Sequence, residues 1–110
     1  MTTLLETVVC SAKPGTEARL ERILSSRIEF RNRQEGCIQS WYSRSSEDES
    51  LYIFQTVFKD RESMKLISDM SREKLDSNDG GIQSCLIGPP LVGIFTVEDE
   101  LMVKFQNMSK

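Results

Sequence analysis

The sequence predicts an α+β chain of order β-α-β-β-α-β, with a four-stranded antiparallel sheet carrying two helices on one face. Three observations predict it. Four short runs of β-branched and aromatic residues are set apart by turn chemistry. Two apolar stripes at helical spacing fall after the first run and after the third. Finally, the second and third runs are joined by residues 45–50, Ser-Ser-Glu-Asp-Glu-Ser. That link is too polar to bury and short enough to make the two runs an antiparallel hairpin.

Residues 3–12 read as the first strand, ended by the turn Lys13-Pro14-Gly15. Leu5 and Val9 share one face and Leu4, Val8 and Cys10 the other, so both faces need cover. Thr16 is placed to cap a helix running to about Arg33, with Ala18, Leu20, Ile23, Leu24 and Ile28 on its apolar side and Phe30 as a candidate extension of it. Glu17, Arg19, Glu21, Arg22, Glu29 and Arg33 form the solvated side. Gly36 leads into the second strand, 37–44, and the hairpin returns through the third, 51–58. Asp60 caps the second helix, which buries Met64, Ile67, Met70 and, a turn later, Leu75. Ser77-Asn78-Asp79-Gly80-Gly81 breaks it and predicts a loop. A helical turn over 82–87, closed by Gly88-Pro89-Pro90, leads to the fourth strand, 91–97. The order is the ferredoxin-like one. The chain reads as a single domain, 1–110, with a core over about 3–97. Residues 98–110 form a C-terminal extension whose Leu101-Met102-Val103-Lys104-Phe105 suits an extra edge strand or a docked tail.

The totals exclude several classes. A net charge of -3 without a long basic run argues against nucleic acid as a partner. No stretch approaches the roughly 20 apolar residues of a membrane span, and the first residues do not read as a basic-then-apolar secretion signal. Cys10, Cys37 and Cys85 are an odd set with no close pair, which predicts reduced thiols and a cytoplasmic location. Histidine is absent, which removes the Ser-His-Asp triad, the Cys-His pair and imidazole-based metal sites. Helices can cover one face of the sheet only. The apolar second face predicts a homodimer through the sheet.

Four short motifs resemble those of the antibiotic biosynthesis monooxygenase family. They are Ala12-Lys13-Pro14-Gly15-Thr16-Glu17 before the first helix and Glu35-Gly36-Cys37-Ile38 at the start of the second strand. The third runs from Tyr52-Ile53-Phe54 through Val57-Phe58-Lys59-Asp60-Arg61-Glu62, and the fourth is Leu86-Ile87-Gly88-Pro89-Pro90. Together they span about residues 4–97 in the family's order. The resemblance implies a dimeric α+β barrel with a small-molecule pocket between the sheet and the helices of one subunit. It also implies oxygenase chemistry, which some members perform on aromatic polyketides or quinols without metal or flavin. The haem-degrading branch carries an Asn on strand one, a Trp at the end of strand three and a His on helix two. Those positions hold Val8 and Phe58 here, and no His exists. Haem degradation of that type is therefore not expected.

The leading expectation is a cofactor-independent monooxygenase acting on a small aromatic or quinol-like compound, with no cofactor and no metal. Its rival is a dimeric module that binds a small ligand or regulates and does no chemistry. Glu6 has the parity of Val8 and so faces the helices, where a carboxylate among apolar groups suits a base. Trp41 and Tyr42 point to opposite faces, one to the pocket and one to the dimer. Trp41, Tyr52, Phe54, Phe58, Met64 and Ile67 are the expected substrate contacts, each also suited to plain core packing.

Overall fold

The computed structural model describes residues 3–98. Strands β1 (Thr3–Ser11), β2 (Cys37–Arg44), β3 (Leu51–Phe58) and β4 (Leu91–Val97) alternate with helices α1 (Glu17–Asn32) and α2 (Arg61–Ser71) as the sequence predicts. Between α2 and β4 lie a π-helical turn (Arg72–Asp76), a three-residue helix α3 (Ser77–Asp79) and a 3-10 turn (Ile82–Cys85). The extra edge strand expected beyond residue 98 lies outside the described residues. No helix among the described residues is long and apolar enough to cross a membrane.

The strands form one antiparallel ferredoxin-like sheet in the order β2-β3-β1-β4. Register decides which side chains meet. Leu4 lies opposite Phe58, Glu6 opposite Thr56, Val8 opposite Phe54 and Cys10 opposite Tyr52. On the other side of β3, Ser40 faces Thr56 and Tyr42 faces Phe54. Because side chains alternate along a strand, these residues share the helix-covered face. Val8, Cys10, Tyr52 and Phe54 pack there against Leu20, Ile23 and Leu24 of α1. Each large apolar side chain buried in that layer stabilises the fold by about 1.5–3 kcal/mol. The opposite face carries Leu5, Val9, Leu51, Ile53, Val57 and Trp41, with Leu91 and Phe95 of β4 exposed at 74% and 55%.

Local chemistry sets the helix starts differently. Asp60 caps α2 as expected: its carboxylate accepts from the Ser63 amide at 2.7 Å, and that bond holds the carboxyl below the usual carboxylate range. Thr16 sits at the start of α1 but does not cap it. Its hydroxyl lies against the Lys13 carbonyl at 2.7 Å and the Cys85 carbonyl at 3.0 Å, tying the first turn to the 3-10 segment. Ala18, expected on the buried stripe, is exposed, and the stripe runs on instead through Arg27 and Arg31. The segment expected as a loop at 77–81 is mostly helical. Its Gly80 and Gly81 take positive φ, where glycine avoids the Cβ clash.

Candidate functional site

A cavity of about 330 Å³ opens between the sheet and the helices. Its floor is Glu6 of β1 and Phe54 of β3; α1 contributes Arg27 and Arg31, and α2 and the turn after it contribute Ser68, Ser71, Arg72 and Asp76. Gly80 to Gln83 complete the rim. Two other concavities are more open. One runs along α1 beside Tyr42 and Arg44, and one lies near Arg19 and Asn78.

Arg31 is the central side chain, only 8% exposed. Its Nη1 donates to Glu6 Oε1 and to Thr56 Oγ1, each at 2.8 Å. Its guanidinium lies over the Phe54 ring at 4.9 Å and 5.7 Å from that of Phe58, an aromatic clamp that fixes its plane. Thr56 in turn pairs with Ser40 Oγ at 3.0 Å. Glu6 Oε2 takes no hydrogen bond from a described residue. A buried guanidinium and a half-buried carboxylate held this way make a fixed dipole at the cavity floor.

Arg27 shapes the cavity's outer wall. Its Nη1 and Nη2 donate to both oxygens of Asp79 at 2.8 Å, and Nη2 reaches Asp76 at 2.5 Å. The hydrogen bonds from Arg27 hold the Asp79 carboxyl below the usual carboxylate range against the opposing pull of burial. This bidentate clamp fastens the π-helical turn and α3 onto α1.

Two of the expected site residues reach the cavity and the others do not. Glu6 and Phe54 line the cavity. Glu6 does face the helices, but beside a guanidinium rather than apolar groups alone. Tyr52, Phe58 and Ile67 are buried in the core, Met64 is half-buried, and none of these four lines the cavity. Trp41 stands on the opposite sheet face, because its neighbour Tyr42 is the one that reaches α1, where its hydroxyl donates to Glu21 at 3.3 Å. Tyr52 donates to the same carboxylate at 2.7 Å. Burial first, and Glu21 second, push both phenols above their ordinary pKa, so neither is an acid–base group near neutrality. Burial likewise raises the Cys10 thiol and keeps it protonated. Arg27, Arg31 and Ser68 were not foreseen. The heptad spacing Leu20 to Arg27 and Leu24 to Arg31 was the available signal, since it extends the buried stripe.

An antiparallel sheet backed by two helices, with a charged cavity of small-molecule size between the layers, defines a class of compact α+β domains with room for a small molecule. The chain belongs to the antibiotic biosynthesis monooxygenase family, whose model matches residues 4–66. Among solved structures it is similar to a conserved protein from Methanosarcina mazei Go1. That match has 20% identity and a TM-score of 0.76, and covers 89% of this chain and 95% of the other. It is also similar to a variant of SnoaB, a cofactor-independent oxygenase from Streptomyces nogalater. Here identity is 14%, the TM-score is 0.74, and coverage is 88% and 94%. A protein of unknown function from Nitrosomonas europaea matches at 22% identity and a TM-score of 0.67, covering 88% and 90%. At these identities the likeness shows the fold alone. No curated protein matches the sequence.

Proposed function

We propose that this protein is a cofactor-independent monooxygenase acting on a small aromatic or quinol-like compound, with Glu6 as its base. One observation carries the reading: a cavity of about 330 Å³ holds the Glu6 carboxylate, anchored through Oε1 by Arg31, beside the Phe54 ring. Family membership and the likeness to a cofactor-independent oxygenase support it. In an anthrone-like substrate Glu6 takes a proton from the activated CH₂ group, and the carbanion spreads its charge onto the ring ketone oxygen. One electron passes to dioxygen, and the radical pair joins through a new C–O bond. The resulting peroxide takes the proton back from Glu6. Loss of the second C–H proton then breaks the O–O bond, so one oxygen leaves as water and the other remains as the new ketone. The substrate supplies the electrons and dioxygen accepts them, while the protein supplies a base and a fixed cation.

The test is oxygen uptake by metal-free protein with a panel of anthrones and hydroquinones, beside a Glu6→Gln variant and a blank. Uptake above the blank that falls at least tenfold in the variant is expected. Uptake unchanged by the substitution removes Glu6 from the role. No uptake with any compound favours a binding module.

The same reading places a second copy of the chain over the uncovered sheet face, where Leu91 and Phe95 stand exposed beside Leu5, Val9, Ile53 and Trp41. Light scattering is expected to return twice the 12.6 kDa of one chain; a single-chain mass at micromolar concentration sinks the dimer. The three cysteines are free, which suits a reducing cytoplasm.

A further inference from the structure

The helical column after β3 runs unbroken from Arg61 to Asp79, but its two halves are held differently. The first half, α2, buries Ser63, Ile67 and Ser71. From Arg72 to Asp79 no residue is buried; Leu75 is half-buried, and Glu73, Lys74, Ser77 and Asn78 are exposed. Arg72 and Asp76 of this second half line the cavity, with Gly80 and Gly81 beside them. The stretch is therefore a wall with the cavity on one side and water on the other. Among the described residues, the hydrogen bonds that tie it to another helix or to the sheet all come from α1. Arg27 donates to Asp76 and Asp79, and Arg19 to the Asp79 carbonyl at 3.2 Å.

Each end of the wall is anchored elsewhere. One end continues into the buried face of α2. The other enters the 3-10 turn, where Cys85 and Leu86 are buried. There the Lys13 amide donates to the Cys85 carbonyl at 2.7 Å and the Ile87 amide to the Ser11 carbonyl at 2.9 Å. Between these anchors lie two places where the backbone can pivot. A π-helical turn is a break in the regular ladder at which helices bend, and Gly80 and Gly81 carry no Cβ to restrict their torsions. A stretch with no buried side chain and one main fastening opens at lower cost than the core around it. We propose that residues 72–81 form a gate over the Glu6 cavity, pivoting at the π-helical turn and at Gly80–Gly81, with Arg27 as its latch. The latch is built to release. The Arg27 side chain is 5% exposed, but those of Asp76 and Asp79 are 42% and 29% exposed. Water already reaches the two carboxylates, and parting the pair hydrates the guanidinium as well, an exit that the shielded Arg31–Glu6 pair lacks. Arg27 and Asp76 both line the cavity, so parting them widens it at that wall. The gate serves entry of a ligand whether or not the site oxidises it.

The test is amide hydrogen exchange on the full chain, read by mass spectrometry, with access to the cavity measured beside it. In the wild-type protein, residues 72–81 are expected to be about tenfold less protected than residues 61–71, β1 or β3. Arg27→Met keeps an apolar stem against α1 and removes the latch. It should lower protection of 72–81 by about a further tenfold and leave β1 and β3 within about twofold. Asp76→Asn together with Asp79→Asn loosens the latch from its exposed side, and should give a smaller loss of protection over the same residues. If the Arg27 variant does not fold, this pair decides. Access is read with a thiol placed by Ser71→Cys, at the cavity wall and 3% exposed, in a Cys37→Ala background whose remaining cysteines are buried. Its reaction with a small maleimide should quicken about fivefold or more when either latch variant is added. Equal protection of 72–81 and 61–71 in the wild type overturns the gate. So does a loss of protection in Arg27→Met that spreads evenly over the strands, or an Asn pair that leaves 72–81 unchanged. Faster exchange without faster labelling overturns it too, since the stretch would then loosen without governing entry.

Discussion

Replacing Arg31 with Met is expected to cost the fold about 3–5 kcal/mol, the loss that follows when one partner of a buried ion pair is removed. The side chains of Arg31 and Glu6 are only 9% and 14% exposed. Without the guanidinium, Glu6 faces the interior with no cation, and Thr56, fully buried, loses a donor. The stacked contacts with Phe54 and Phe58 are kept in part, because the Met chain follows the same path over the rings. Urea unfolding of the single variant and of the double variant Arg31→Met with Glu6→Met checks the argument. The double change removes both charges, and it should recover at least half of the loss. A single variant that loses less than about 1 kcal/mol would mean that the pair behaves as a solvated surface bridge.

Gly36→Ala is the second large effect, expected to lose about 2–4 kcal/mol through two separable terms. Gly36 has φ 103°, which a side chain adopts at a penalty of about 1–2 kcal/mol. A Cβ there would also stand 2.5 Å from Ser63 Oγ and 2.7 Å from Ser63 Cβ. Ser63 cannot retreat easily. Its amide is held by the Asp60 cap, and the Gly36 carbonyl is itself bound by the Lys59 amide at 2.9 Å. Gly15→Ala supplies the comparison, since Gly15 has φ 86° but open space around it. It should lose only the backbone part. Equal losses for the two variants in urea unfolding would show that the approach of the turn to α2 exerts no steric demand.

The strands β2, β3 and β4 were legible to the residue because the chain marks them twice, by alternation within each run and by turn residues between runs. The polar hairpin link could be nothing but a loop, and Asp60 could cap only what followed it. Strand parity was legible too: Glu6 faces the helices, and Leu5 with Val9 faces away. The cavity was only half legible. Phe54 and Glu6 were readable from parity, whereas Trp41 went to the other face, a choice its adjacency to Tyr42 left open. Arginine on a helix reads as solvated by default, and Arg27 and Arg31 are buried only because carboxylates from β1 and from the turn after α2 arrive to meet them.

By itself, then, the sequence determined the element order, the sheet's two apolar faces and the orientation of its one inward carboxylate. Local alternation, turn chemistry and helical spacing are enough for those. Only the tertiary structure decided that Arg31 would touch Glu6, that the Ser68 hydroxyl would be buried without a hydrogen-bond partner, and that Thr16 would bind across to Cys85. These contacts join residues far apart in the chain. Their geometry depends on how two helices seat on a twisted sheet, which no short stretch of sequence encodes.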